Sequence, residues 1–220
     1  MITKKWLPLD NYNHTKIEVE FLIIHYSALS AKATIKLFSA KDGKVSAHFL
    51  IDVDGTIYEL VPSFSGQACK AWHAGRSSWC EKGKNWTNFN DFSLGIELVN
   101  YNGNIFDYTN EQYKSLASLV NKLKILYPKL SDPARILGHE QIAGFRGKID
   151  PGIRFSWTKF FKLAFANNKK YPLRKAVLSQ IYDILITKKS SSHNDKLNQL
   201  DEFWANINSF LEGKVKNTSN

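Results

Sequence analysis

The apolar positions of this chain fall into short blocks separated by polar turns. Phe21-Leu22-Ile23-Ile24-His25-Tyr26 is a β-rich apolar run. Its length suits a buried strand, with His25 near its end. Ser30 stands where a cap would open a helix reaching about Ala40. Residues 45–53 and 56–61 flank Asp54-Gly55, a two-residue hairpin signature. Residues 93–100 read as another strand. Thr109 followed by Gln112 resembles a capping box, and Leu116, Leu119, Val120, Leu123 and Leu126 continue at helical spacing to about Tyr127. Pro128 and Pro133 end that helix, 135–139 is short and extended, and 157–166 predicts a further helix. The remaining stretches show no clear period: 1–20 is polar and mixed, with loop at 11–14; 62–92 reads as a long loop region; 140–154 reads as a glycine-containing loop.

This order predicts an α/β (α+β) fold with a single mixed central β-sheet flanked by helices. Residues 1–166 form the expected domain. Residues 167–220 are expected to be a helical C-terminal extension, with helix-like stretches at 173–187 and 197–211 broken by Ser190-Ser191-Ser192. No internal repeat is visible.

Composition narrows the class. With 43% hydrophobic and 23% charged residues, the chain is neither disordered, collagenous nor a disulfide scaffold. No apolar run is long enough to span a bilayer, so no membrane span is expected. The start shows no basic, apolar and small-residue sequence of a signal peptide, so the expectation is a cytoplasmic protein, with the periplasm as the alternative. Cys69 and Cys80 have no CxxC partner and read as reduced packing thiols. The net charge of +10 is spread rather than blocked and favours an anionic partner such as nucleic acid, anionic lipid or cell wall. Nucleic acid would call for clustered cations with interleaved aromatics, and the tail offers little beyond Lys188-Lys189, so no nucleic-acid partner is expected.

The histidines carry the candidate chemistry. His14 and His193 lie in polar stretches and read as solvated; His48 reads as a hydrogen-bonded structural residue. His139-Glu140 is not a zincin motif, because position 143 is Ala143 rather than a second histidine. His139 and Asp150, across a glycine-containing loop, can converge on one ion. With His25 from a distant strand they would give two imidazoles and a carboxylate with an open fourth position, as in catalytic zinc sites. Spacing alone allows this set without selecting it. A pair of acidic residues, Asp91 and Glu97, would also fit a glycosidase, but that reading leaves the His-His-Asp set without a role.

Six segments resemble one family in order. They are Phe21-Leu22-Ile23-Ile24-His25; Val45-Ser46-Ala47-His48-Phe49-Leu50-Ile51-Asp52-Val53-Asp54-Gly55-Thr56-Ile57-Tyr58; Ala71-Trp72-His73-Ala74-Gly75; Asn90-Asp91-Phe92-Ser93-Leu94-Gly95-Ile96-Glu97-Leu98; Gly138-His139; and Lys148-Ile149-Asp150-Pro151-Gly152. Together they resemble the zinc-dependent N-acetylmuramoyl-L-alanine amidases of type 2, in particular their AmpD-like branch, which are related to the peptidoglycan-recognition proteins. The resemblance covers about residues 20–160 and implies the fold of those families. It implies one Zn²⁺ per chain on His25, His139 and Asp150, Glu97 as the acid/base group, and Lys148 as the cation facing the oxyanion. It also implies substrate contacts at Tyr26, Trp72, His73 and Ala74. The implied reaction is hydrolysis of the amide between N-acetylmuramic acid, in some members the 1,6-anhydro form, and L-alanine of the stem peptide. The implied partners are peptidoglycan or its fragments, in wall recycling or remodelling. The alternative is a non-catalytic peptidoglycan-binding protein of the same fold. Tyr26 follows the first zinc histidine where the cytosolic branch has asparagine.

Overall fold

The computed structural model describes residues 4–7, 9–40, 43–168 and 170–174. In chain order the strands are β1 (Lys4–Trp6), β2 (Asn13–Lys16), β3 (Phe21–Tyr26), β4 (Phe49–Ile51), β5 (Ile57–Glu59), β6 (Cys69–Lys70), β7 (Ser78–Glu81), β8 (Lys84–Thr87), β9 (Ser93–Leu98) and β10 (Ile136–Gly138). The helices are α1 (Ala31–Phe38), α2 (Asn110–Leu126), α3 (His139–Ala143) and α4 (Trp157–Ala164).

Six strands form one mixed sheet in the order β1-β5-β4-β9-β3-β10. Only the β4–β5 hairpin is antiparallel within it; β4, β9, β3 and β10 run parallel. The two central strands are almost wholly buried, as expected for parallel strands covered on both faces. Their two faces differ in chemistry, however. Leu22, Ile24, Leu94, Ile96 and Leu98 point to the layer made by α2 and α4 and join Leu116, Leu119, Leu123, Phe160 and Phe161 in the main core. The opposite face carries Phe21 and Ile23 at one end. By strand alternation it also carries His25, Ser93, Gly95 and Glu97.

The helices begin where their caps predict. Ser30 caps α1, Thr109 and Gln112 form a reciprocal capping box on α2, and Ser156 caps α4.

Several expectations are corrected. The polar first twenty residues contain β1 and β2, the second paired with β6. The stretch 62–92 is not one long loop; it holds β6 and the β7–β8 hairpin. That hairpin turns on Lys82-Gly83, both at positive φ (51° and 78°), the two-residue geometry that matches strand twist. The Asp54-Gly55 hairpin closes differently from the expectation. Ile51 pairs with Ile57 and Asp52 N–H donates to Thr56 O, leaving a three-residue loop with Gly55 at φ 85°. Residues 45–48 precede β4 rather than forming part of it, and 139–143 is helix rather than loop. Leu173 and Arg174 are not helical, and the other helix-like positions from 175 onward lie outside the described residues. The described start of the extension lies against the domain: Tyr171 stacks on Phe161 with ring centroids 5.6 Å apart, and Arg174 donates to the carbonyls of Ala134 and Ile136.

Both cysteines are free, Cys69 buried and Cys80 exposed. Among the described residues no helix is long and apolar enough to cross a membrane.

Phe160 is fully buried in the α2–α4 layer, away from the polar face. Phe160→Ala is expected to cost about 3–5 kcal/mol of unfolding free energy in urea titrations, the range for emptying a buried aromatic site.

Candidate active site and metal centre

Register builds the site. His25 of β3 pairs with Glu97 of β9, and Gly138 of β10 pairs with Ile24, so His139, the next residue, comes level with His25. Three adjacent parallel strands therefore deliver Glu97, His25 and His139 at their carboxyl ends, where open α/β sheets bind ligands. Asp150 arrives from a loop. That loop is tied by Tyr108 Oη donating to Pro151 O (2.7 Å), Ile153 N–H to Asn104 Oδ1 (3.1 Å) and Arg154 N–H to Gly103 O (2.9 Å). Glu140 N–H donates to Asp150 O itself at 2.9 Å.

The result is a triangle of atoms. His25 Nδ1 lies 3.1 Å from His139 Nδ1 and 2.9 Å from Asp150 Oδ2, and His139 Nδ1 lies 3.0 Å from the same oxygen. All three residues are buried, and they are a group able to hold a metal ion.

The proton positions test whether a cation fits. His139 Nε2 faces the carbonyl of Ala74 at 3.3 Å and must donate to it, which leaves Nδ1 as a lone pair. His73 Nε2 faces the carbonyl of Ser93 at 3.2 Å and must likewise donate, so its Nδ1 accepts. His25 Nε2, 3.1 Å from that Nδ1, is then the donor, and its own Nδ1 is a lone pair. Two imidazole lone pairs and a carboxylate oxygen thus meet with no proton among them. Mutual repulsion of three acceptors at this distance calls for a cation. Ligands held at the usual zinc distances of about 2.0–2.2 Å in a tetrahedron stand roughly 3.3–3.6 Å apart, close to this triangle.

Ionisation agrees. Burial, with His139 beside it, lowers His25 to about 4, so the ring is neutral at pH 7. Burial alone would raise Asp150, but its two imidazole neighbours, His139 first, hold it well below the usual carboxylate range, so it is ionised. Glu97 is pushed up to about 8 by burial first and Asp150 second, with Lys148 opposing. Its Oε2 is buried without a hydrogen-bond partner among the described residues. Lys148 is exposed, and its charge is felt at both Glu97 and His25.

The residues expected at the substrate are placed unequally. Tyr26 is half-buried directly after His25, with its hydroxyl bonded to Asn104 and pushed up to about 12 by burial. Trp72 is half-buried, with the Lys70 ammonium 5.2 Å from its ring centre. His73 and Ala74 are buried behind His25 and His139 rather than open to the cleft. Both ring nitrogens of His73 are engaged by protein, and the Ala74 carbonyl is shared by His139 and Arg146 Nη2 (2.9 Å), so these groups are hydrogen-bonded within the protein rather than turned to the cleft. His48 is structural as expected: its Nδ1 accepts from Gly95 N–H and its Nε2 donates to Cys69 O, both at 2.9 Å. Sequence reasoning missed Gly95. A Cβ there would stand 2.5 Å from His73 Cγ, so only glycine lets the ring lie on β9. The signal was present as Ser-Leu-Gly-Ile-Glu-Leu, small and polar residues alternating with apolar ones.

A six-stranded mixed sheet with a two-histidine, one-aspartate set at its carboxyl edge defines a candidate single-metal site. The family profile described as N-acetylmuramoyl-L-alanine amidase matches residues 15–153, and the chain belongs to that family. Among curated relatives, the 1,6-anhydro-N-acetylmuramyl-L-alanine amidase AmpD of Citrobacter freundii is 40% identical over 127 residues, 58% of this chain and 61% of the relative. That of Haemophilus influenzae is 42% identical over 117 residues, 53% and 57% of the two chains. The chain thus spans about three fifths of the length of these relatives. Among solved structures, an AmpD selenomethionine derivative superposes with TM-score 0.56 at 29% identity, covering 74% of this chain and 95% of that one. AmpDh3 of Pseudomonas aeruginosa in complex with anhydromuramic pentapeptide gives TM-score 0.57 at 27% identity, covering 84% and 73%.

The raised Glu97 gives a pH prediction for metal-free protein. A carboxyl with a folded value near 8 and an unfolded value near 4.5 contributes most stability below pH 4.5, and loses it as pH rises through 8. Glu97→Gln removes the cost of ionisation. It should stabilise the metal-free protein by on the order of 3 kcal/mol at pH 7, with the gain vanishing below about pH 4.5, read from urea unfolding across pH.

Proposed function

We propose that this chain is a zinc-dependent amidase that hydrolyses the bond between N-acetylmuramic acid, in its 1,6-anhydro form, and the L-alanine of a stem peptide. The observation that carries this reading is the buried triangle of His25 Nδ1, His139 Nδ1 and Asp150 Oδ2, with Glu97 in register beside it and its buried Oε2 without a hydrogen-bond partner among the described residues. The names of the curated relatives support the substrate, as do the anhydromuropeptides bound in solved relatives.

Zinc on His25, His139 and Asp150 would supply Lewis acidity to the scissile carbonyl and to water at the site. The chain's own groups do the rest. Glu97 takes the proton of the attacking water and passes it to the departing amine nitrogen of L-alanine. Its raised value suits both steps, because the carboxyl gives up and regains a proton near neutral pH, and a dication beside it would draw the value down from 8. Lys148 places positive charge where the carbonyl oxygen becomes negative. The buried floor of His73, Ser93 and Gly95 keeps solvent from the rear of the ligands. The products are a free muramyl carboxylate and a peptide with an L-alanine amino terminus, and no covalent enzyme intermediate is needed.

The test is mass-spectrometric digestion of an anhydromuramyl peptide and of intact sacculi. Wild-type protein should release L-alanine-initiated peptide, preferring the anhydromuramyl substrate; a chelator should stop release and added zinc restore it. Glu97→Ala should lower the rate about 10²–10⁴-fold and Lys148→Ala about 10²–10³-fold, with zinc content unchanged. No release from either substrate by protein holding one zinc per chain would make it a binding protein and overturn the roles of both residues.

A further inference from the structure

His139 and His25 reach their tautomers by different routes. His139 donates directly to a backbone carbonyl, that of Ala74. His25 is hydrogen-bonded through Nε2 to a second imidazole, and only that ring reaches a carbonyl, Ser93 O. We propose that His73 is a positioning residue for the metal. It accepts the Nε2 proton of His25 and thereby holds the His25 Nδ1 lone pair in the ligand triangle. The proposal rests on the reading of His25, His139 and Asp150 as zinc ligands.

The surroundings leave His73 one arrangement. Gly95 forms a floor with no side chain beneath its ring, and His48 packs edge-on with ring centres 5.6 Å apart. His48 is itself pinned to Gly95 and Cys69 and has no nitrogen left for His73. The backbone of the segment is fixed as well: Asn90 Oδ1 accepts from His73 N–H (3.1 Å) and Ala74 N–H (2.7 Å). Two consecutive residues therefore govern the two imidazole ligands, His73 through its ring and Ala74 through its carbonyl, and one asparagine holds both. A partner of this kind fixes ring orientation and raises ligand basicity, and losing it costs about 10–100-fold in metal affinity.

The experiment compares wild type, His73→Phe and His73→Asn. Phenylalanine keeps a ring of similar volume without an acceptor; asparagine is smaller but can place Oδ1 where Nδ1 stood. Proton–nitrogen correlation spectra of the imidazoles in metal-free protein read the His25 tautomer, and competition with a chromogenic chelator reads zinc affinity. The expected results are His25 protonated at Nε2 in wild type, zinc binding about 10–100-fold weaker in His73→Phe, and most of that loss recovered in His73→Asn. A packing role alone predicts the reverse order. Wild-type His25 protonated at Nδ1, or His73→Phe binding zinc within about twofold of wild type, would overturn the proposal. The Nε2 tautomer present in wild type and lost in His73→Phe, with no zinc bound by any of the three, would support the relay and sink the zinc reading instead.

Discussion

Three electron pairs aimed at one point are the constraint on which this molecule is organised. His25, His139 and Asp150 place acceptor atoms about 3 Å apart, and no proton is available to bridge them. Left to themselves, such groups would turn away from each other or capture protons. They stay because each is anchored elsewhere: one ring on a second imidazole, one on a backbone carbonyl, and the aspartate on a loop with its own hydrogen bonds. The repulsion is held by the fold, and a bound cation would relieve it.

The sheet makes that possible by giving its two faces different work. On β9, Leu94, Ile96 and Leu98 contribute to the core against α2 and α4, while Ser93, Gly95 and Glu97 support the site. A strand that is buried throughout thus has only half its side chains committed to hydrophobic stability. The other half serves the site residue by residue. Ser93 offers a carbonyl that accepts from His73, Gly95 leaves room for that ring, and Glu97 sets a carboxyl beside the ligands.

Much of this was legible in the sequence, for reasons that differ by element. Local chemistry announced α2, because the Thr109–Gln112 box and the leucine spacing are short-range signals. Strand β3 was announced by a compact apolar run. The β7–β8 hairpin was not, because Lys82 sits at positive φ without being glycine or asparagine, and because its strands are mostly exposed. Nor were β1 and β2, short strands whose partners lie far along the chain. Spacing could allow the His-His-Asp set but not select it; six motifs in order did so through family resemblance. The deeper positions of His73 and Ala74 could not be read that way, since a motif records which residues are present and not which side of a ligand they occupy.

The connection between β9 and α2 shows a consequence for how this chain can vary over time. Surface connections usually absorb inserted or deleted residues with little effect. Here Gly103, Asn104 and Tyr108 grip the stretch of chain that follows Asp150, at backbone groups of residues 151, 153 and 154. A change of length between 102 and 108 would slide those grips by a residue and drag the aspartate away from the histidines. The tip at Lys82-Gly83, with open space around Gly83, carries no such burden. Two loops of similar outward character therefore face opposite evolutionary pressures, one free to lengthen and the other fixed in number.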